Sequence, residues 1–396
     1  MHNSAIDLLT GYPFDRLRAL LGSITPETDA PEISMSLGEP QHAPPAFISE
    51  IIAENAAFWG RYPPMFGSAE LLEVIGAWLT KRYNLPEDAV DPERQIIAVS
   101  GSREALFMAA ELVIPRRKIS GPPVVLIPNP FYQVYYGAAL MSGAQMIFLS
   151  ATENTGFLPD VASVDQSILR RTAMMYLCSP ANPNGTVAGL DYLKEAIRLA
   201  RQHDFVLAVD ECYGEIYDKT PPPGALQACA ELGRGFANVL VFNSLSKRSS
   251  APGLRSGFVA GDEALIQRLK TLRSYGGANL PIPILAASTA LWRDEAHVEA
   301  NRDLYRTKFD RADRLLKGRF GYRRPDGGFF LWLNVGDGEE AARKLWSKGN
   351  IRVLPGLYLA REDATGINPG RPYIRVALVH DPETVTDALE RIVSIL

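Results

Sequence analysis

Val239-Leu240-Val241-Phe242-Asn243-Ser244-Leu245-Ser246-Lys247, followed by Pro252-Gly253-Leu254-Arg255-Ser256-Gly257, decides how this chain is read. A β-rich apolar run ends in a turn of small residues that carries one lysine, three positions after Ser244 and eight before Arg255. A lysine amine condenses with an aldehyde, and a hydroxyl and a guanidinium nearby can hold a phosphate. Lysine is a common residue, so this spacing gains meaning only if other segments bring complementary groups to the same edge.

Outward from that stretch, short β-rich runs alternate with helical ones from about residue 67 to 260. Strands are expected at Ile96–Val99, Val124–Ile127, Gln145–Leu149, Ala173–Leu177, Val206–Val209, Val239–Phe242 and Gly257–Ala260. Helices are expected at Glu104–Val113, Tyr132–Met141 and Leu190–Gln202. This rhythm predicts an α/β fold whose mostly parallel sheet lies between helices. It changes after residue 285. One long amphipathic helical stretch, Ala286–Leu316, precedes strand-like Phe329–Leu333 and Tyr373–Leu378, which predicts a smaller α+β domain. The expected division is an N-terminal arm and part of the small domain over 1–47, a large domain over 48–285 and the small C-terminal domain over 286–396. The arm would pack on the small domain or on a partner subunit.

Ligands of an open α/β sheet bind beyond the C-terminal ends of its strands. After strand 96–99 come Gly101, Ser102 and Arg103 at a helix start, where free N–H groups suit a phosphate or an ordinary helix cap. After strand 124–127 comes Tyr132, whose ring could stack on a flat ligand or fill the core. Asn182, in Ser179-Pro180-Ala181-Asn182-Pro183-Asn184-Gly185, could donate to a ring oxygen or simply shape a turn. Asp210, ending strand 206–209 ahead of Tyr213, is costly to bury without a positive partner, although it could cap a helix. Each feature alone is commonplace. Five strand ends that together offer phosphate donors, a ring, an oxygen donor, an acid and Lys247 point to a protonated pyridine aldehyde with a phosphate tail, pyridoxal 5'-phosphate.

Composition sets outer bounds. The 396 residues include 46% apolar and 22% charged residues, as expected of an ordinary globular protein. A net charge of -4 argues against recruiting nucleic acid or an anionic membrane. No run approaches the roughly 20 apolar residues of a membrane span, and the N-terminal stretch does not read as a signal peptide. Three cysteines, Cys178, Cys212 and Cys229, lack metal spacing, and an odd count argues against a disulfide framework. A reducing cytoplasm is the expected compartment. The five histidines are scattered, so no metal site is expected.

With these motifs in hand, the chain resembles, from end to end, the fold-type I pyridoxal-phosphate enzymes of the class I/II aminotransferase family. The resemblance implies that Lys247 bonds the cofactor covalently and that Asp210 pairs with the pyridine nitrogen. It implies that Tyr213 and Asn182 contact the ring's phenolic oxygen, and that Tyr132 stacks on the ring. Gly101, Ser102, Arg103, Ser244 and Arg255 would hold the phosphate. Tyr62, in Arg61-Tyr62-Pro63-Pro64-Met65-Phe66-Gly67, resembles a tyrosine that reaches the phosphate across a homodimer interface. Arg375 resembles the arginine that clamps the substrate α-carboxylate, with Gly38 of Leu37-Gly38-Glu39-Pro40 and Asn182 beside it.

Several segments resemble one subgroup, the proteobacterial N-succinyldiaminopimelate aminotransferases. They include Tyr12-Pro13-Phe14-Asp15-Arg16-Leu17, Gly101-Ser102-Arg103-Glu104-Ala105-Leu106-Phe107, Ser246-Lys247-Arg248-Ser249, Asp294-Glu295-Ala296-His297-Val298, Leu354-Pro355-Gly356-Leu357-Tyr358-Leu359 and Asn368-Pro369-Gly370. The chain departs from that pattern at Gly276 or Gly277, where histidine is expected, and at Leu285, where glutamine is usual. The implied reaction is a two-stage amino transfer, with glutamate donating and N-succinyl-2-amino-6-oxopimelate accepting, in lysine and cell-wall precursor synthesis. Arg18, Arg103 and Arg273 are candidates for the remote carboxylates. The same residues would also serve aspartate, aromatic or other amino acids, a β-lyase or a decarboxylase. A ligand sensor on this fold would need an added DNA-binding domain, for which the 1–47 segment leaves no room. A plain α/β binding protein would be colourless.

Overall fold

The computed structural model describes residues 2–9, 11–115, 121–363 and 365–396. Residues 1 and 10 of the expected arm lie outside them. Twelve strands are present among the described residues, beginning with Ile33–Ser34 (β1). Then come Ile96–Val99 (β2), Val124–Asn129 (β3), Gln145–Ser150 (β4), Thr172–Cys178 (β5), Val206–Asp210 (β6), Val239–Ser244 (β7) and Gly257–Gly261 (β8). Phe330–Asn334 (β9), Ile351–Arg352 (β10), Leu354–Pro355 (β11) and Tyr373–Ala377 (β12) complete the set.

Strands β2 to β8 form one sheet in the order β2-β8-β7-β6-β5-β3-β4. Only β8 runs against the others, because it pairs antiparallel with both β2 and β7 while the remaining pairs are parallel. Helices cover both faces. Alternation along each central strand sorts the side chains: Leu207, Val209, Val239 and Val241 join one core with Leu71, Ile75 and Trp78. Their neighbours Val206, Ala208, Leu240 and Phe242 join the opposite core with Leu106, Phe131 and Leu269. Burial on both faces explains why these strands read as nearly continuous apolar runs. In this sheet the observed strands contain every expected one and extend most of them by a residue or two, reaching Asp210 and Ser244, whereas β9 and β12 leave out the expected Phe329 and Leu378.

A second layer is smaller. The antiparallel sheet β11-β12-β9 and the pair β1-β10 pack with the helices Ala296–Leu316, Gly338–Gly349 and Pro382–Ile395 around a separate core. Cys212, Tyr213 and Ile216, just after β6, also enter that core. Thus the segment after Asp210 lies where the two layers meet. The helix Pro13–Leu21 of the arm buries Leu17 and Leu21 beside Trp332, Trp346 and Leu354 of the smaller layer.

The expected single helical stretch 286–316 is two helices, Ile282–Arg293 and Ala296–Leu316. Asp294 breaks them apart, accepting a hydrogen bond from the His297 N–H at 2.9 Å and so satisfying a free donor of the second helix. The first helix runs across the expected 285/286 boundary, and its Leu285, Leu291 and Trp292 sit in the core of the large sheet. Among the described residues no helix is long and apolar enough to cross a membrane.

Candidate active site

A cavity of about 490 Å³ opens at the strand ends between the two layers. Its wall brings together Gly38, Ser102, Arg103, Tyr132, Asn182 and Asp210 with Tyr213, Ser244, Lys247, Arg255 and Arg375. Chain positions 38 to 375 meet there because each follows a strand or lies in the smaller layer folded over the sheet edge.

Lys247 lies in the four-residue helix Leu245–Arg248 that follows β7. Its Nζ donates to the Gly38 carbonyl at 2.7 Å. The amine is packed on nearly all sides while keeping some surface open to the cavity. That burial pulls its pKa down to about 8, with Glu39 opposing the shift and Arg375 and Arg255 reinforcing it. A lysine so placed is a nucleophile near neutral pH.

Asp210 ends β6 and is 5% exposed. Burial raises its pKa, while hydrogen bonds from the Cys212 N–H at 3.2 Å and the Tyr135 hydroxyl at 2.8 Å favour the carboxylate. Tyr135 was not among the expected site residues. It lies one helical turn after Tyr132, fully buried and stacked on Tyr176 at 4.6 Å, and its hydroxyl is the only side-chain oxygen donor that Asp210 meets among the described residues. The i, i+3 spacing from Tyr132 on a helix that starts at a strand end was the available signal.

Arg375, on β12, is buried, and its guanidinium is held from one side. Nη1 donates to Asn182 Oδ1 at 3.0 Å and Nη2 to the Ser36 carbonyl at 2.7 Å, while Nε has no partner among the described residues. Burial lowers its pKa to about 10. Its carbon centre lies 4.3 Å from the Phe330 ring centroid. Tyr213 packs edge-on against Phe329 and Phe330, and burial pushes its phenol well above the ordinary value.

At the opposite end of the cavity the helix Ser102–Val113 begins. Gly101 precedes it at φ +87°, and a Cβ there would lie 2.3 Å from Arg255 Nη2. The positive φ favours glycine, and a side chain there would push the Arg255 guanidinium aside. Ser102 Oγ accepts from the Cys212 thiol at 3.0 Å, and Arg103 Nε donates to the Tyr132 hydroxyl at 2.7 Å. Cys178 and Cys212 are buried and form part of the cavity wall.

Other expectations fall elsewhere. Tyr62 is 100% exposed and off the cavity wall. Arg18 is on the surface, paired with Asp15 at 2.9 Å. Arg273 is buried away from the cavity, committed to Glu104 at 2.9 Å and to the Ala278 carbonyl at 2.8 Å. Leu285 is core.

The profile of the family described as aminotransferase class I and II matches residues 31–392. The chain belongs to that family. A crystal structure of an aminotransferase from Neisseria meningitidis Z2491 superposes with a TM-score of 0.94 at 41% identity, covering 99% of both chains. The 4-dedimethylamino-4-oxo-anhydrotetracycline transaminase of Streptomyces rimosus is 31% identical over 91% of this chain and 92% of its own length. A probable N-succinyldiaminopimelate aminotransferase from Thermus thermophilus is 25% identical with a TM-score of 0.85, covering 97% of this chain and 100% of the other. The protein is a pyridoxal 5'-phosphate-dependent aminotransferase acting on amino acids and 2-oxo acids. The cavity suits that cofactor chemically. One end holds a guanidinium slotted against Gly101 at a helix N-terminus, which favours an anion; Asp210, buried within, favours a cation; and Lys247 offers a depressed-pKa amine.

Proposed function

We propose that this aminotransferase moves an amino group between N-succinyl-L,L-diaminopimelate and 2-oxoglutarate, in lysine precursor synthesis. The observation that carries the reading is the pair of guanidiniums on one cavity wall, Arg375 buried and Arg103 at the exposed mouth, both sharing the cavity with Lys247. Substrates with a carboxylate at each end suit two such cations. The name of the Thermus neighbour agrees with this substrate.

When bound, the cofactor supplies an aldehyde carbon for the amino group and a ring that accepts electrons from Cα. Lys247 would hold it covalently through Nζ. With a pKa near 8, about a quarter of the free amine is neutral at pH 7.5, so Nζ can take the Cα proton and return it. Asp210 would keep a proton on the ring nitrogen. Tyr213 and Asn182 would orient the phenolic oxygen, and Tyr132 would cover the ring. Gly101, Ser102, Ser244 and Arg255 would hold the phosphate, which leaves Arg103 for the distal carboxylate of the substrate. Arg375 would take the α-carboxylate, its Nη groups fixed by Asn182 and Ser36, with Gly38 beside it.

The working form would be a homodimer in the cytoplasm, with Tyr62 reaching the neighbouring site. Full exposure of Tyr62, with Trp59 three residues before it at 55%, supports a second copy covering this segment. The units would be the arm over 1–47, the large domain over 48–285 and the small domain over 286–396, with the helix Ile282–Arg293 packed on the large one.

The test is a spectral half-reaction panel of succinyldiaminopimelate, glutamate, aspartate and aromatic amino acids. Succinyldiaminopimelate and glutamate should convert the cofactor fastest. A clear lead for aspartate or an aromatic amino acid overturns the substrate, and ammonia release without amino transfer overturns the reaction. Lys247→Ala should abolish the covalent chromophore.

A further inference from the structure

One five-residue stretch of the arm, Gly38-Glu39-Pro40-Gln41-His42, reaches Lys247 at both ends, directly at its amine and through Asn301 at its main chain. The Gly38 carbonyl receives its Nζ at 2.7 Å. At the other end, Asn301 Nδ2 donates to the main-chain carbonyls of Lys247 at 3.2 Å and Arg248 at 3.3 Å. Asn301 lies on the helix Ala296–Leu316, 8% exposed, and its Oδ1 faces His42 Nδ1 at 2.7 Å. His42 Nε2 in turn faces Lys308 Nζ at 2.6 Å, and Lys308 is wholly buried, donating also to the Leu378 carbonyl at 2.9 Å.

The donors and acceptors fix one another. Two main-chain carbonyls can accept only from an N–H, so the Asn301 amide has its nitrogen on that side and its oxygen toward His42. His42 must then carry its proton on Nδ1, which leaves the Nε2 lone pair for an N–H of Lys308. The chain Lys308–His42–Asn301 therefore has one consistent polarity and ends on the carbonyl of the residue whose amine enters the cavity. Neighbouring bonds fix the same segment: Ser250 Oγ donates to the His42 carbonyl at 2.8 Å, and Arg248 Nη1 donates to the Leu291 carbonyl at 2.8 Å. The His42 ring lies tilted against Tyr305 at 4.7 Å, and Tyr305 stacks on Phe329 beneath the Lys247 amine.

We propose that Asn301 is a positioning residue for Lys247, oriented by His42 and Lys308, so that the seating of the arm sets where the lysine amine stands in the cavity. The proposal rests on the reading of Lys247 as the cofactor-bonding residue. It assigns work to three polar residues that are not part of the cavity wall.

Asparagine and glutamine separate the two faces of His42. In His42→Asn the amide nitrogen stands near the Nδ1 position and keeps the donor to Asn301; in His42→Gln the amide reaches toward Lys308 instead and leaves Asn301 Oδ1 without its donor. The experiment uses the holoenzyme of Asn301→Ala, His42→Asn and His42→Gln, and reads the pKa of the lysine–cofactor absorbance, the half-reaction rate and KM. Asn301→Ala should lower the half-reaction rate about tenfold, as a displaced catalytic group does, with KM within about twofold. Its absorbance pKa should move by at least about half a unit, the scale of a small change in the amine's surroundings. His42→Gln should follow Asn301→Ala, and His42→Asn should stay near the unaltered protein. Asn301→Ala with an unchanged absorbance pKa and rate overturns the proposal. Should Asn301→Ala not fold, equal behaviour of the two His42 variants overturns it. A covalent chromophore that survives Lys247→Ala would instead overturn the reading of Lys247 itself.

Discussion

Replacing Tyr135 with phenylalanine isolates the support beneath Asp210. The ring is fully buried and stacks on Tyr176 with planes 10° apart, so phenylalanine fills the same space and leaves no cavity. What disappears is the 2.8 Å hydrogen bond to Asp210 Oδ2, leaving the 3.2 Å bond from the Cys212 N–H to Oδ1. A hydrogen bond to a charged group contributes about 1.5–3 kcal/mol. Its loss should lift the Asp210 pKa further, since that bond favours the carboxylate. A carboxylate less able to stay ionised pairs less well with a protonated ring. The apparent dissociation constant for pyridoxal 5'-phosphate should therefore rise about ten- to a hundredfold, by the usual conversion of energy to affinity. The assay is spectral titration of the cofactor-free protein, with Tyr176→Phe as control. The Tyr176 hydroxyl donates to the Leu106 carbonyl at 2.8 Å and does not touch Asp210. Tyr176→Phe should lower stability without changing cofactor affinity. If Tyr135→Phe binds the cofactor within about twofold of the unaltered protein, the account of Asp210 is wrong.

The Lys247 amine, at about 8 in the folded chain against 10.5 ordinarily, disfavours its own charged form. Between those values the unfolded chain binds more protons, so stability climbs as pH rises from about 8 to 10.5, and the full penalty stands below pH 8. Cofactor-free Lys247→Met should exceed the unaltered protein by roughly 3 kcal/mol at pH 7.5, and urea melts should show the gap closing toward pH 10.5. Arg375→Lys replaces a planar fork with a single point charge, which cannot grip a carboxylate bidentately while staying on Asn182 and Ser36. Half-reaction kinetics should show kcat/KM down about a hundredfold, mainly through KM. Gly101→Ala drives a Cβ to 2.3 Å from Arg255 Nη2 at a positive φ, so cofactor affinity, measured by the same titration, should drop sharply while the melting temperature changes less.

The large sheet was legible because its physics is local. Strands buried on both faces need apolar residues in sequence, and the chain supplies them from Ile96 to Gly261. The groups at their ends, such as Asp210, Ser244 and Lys247, were legible because a polar residue after such a run stands where ligands bind. What escaped was set by partners far along the chain. Tyr135 reads as a core aromatic until its hydroxyl meets Asp210, 75 residues away. Lys308 reads as part of a solvated helical face until it proves wholly buried against His42, 266 residues away. Arg273 reads as a spare cation because nothing in its own segment shows that Glu104 claims it. The break at Asp294 was within reach, since an acid just before a helix is an ordinary start signal, yet it was lost inside a continuous amphipathic period.

The same contrast bears on specificity. The partners of Arg375 Nη1 and Nη2 are in the chain, and they hold the guanidinium in place whatever the substrate. Its Nε, buried without a partner among the described residues, has no such counterpart. Arg103 similarly spends Nε on Tyr132 and stands exposed at the cavity mouth. Cofactor chemistry is thus written in residues whose partners the fold supplies, and substrate choice in donors whose partners arrive from outside. Arg103→Ala tests this division. It should lower kcat/KM for dicarboxylic amino acids about tenfold or more, the scale of one charge-assisted contact, while alanine is used as before. An equal loss for alanine would place Arg103 with the phosphate instead.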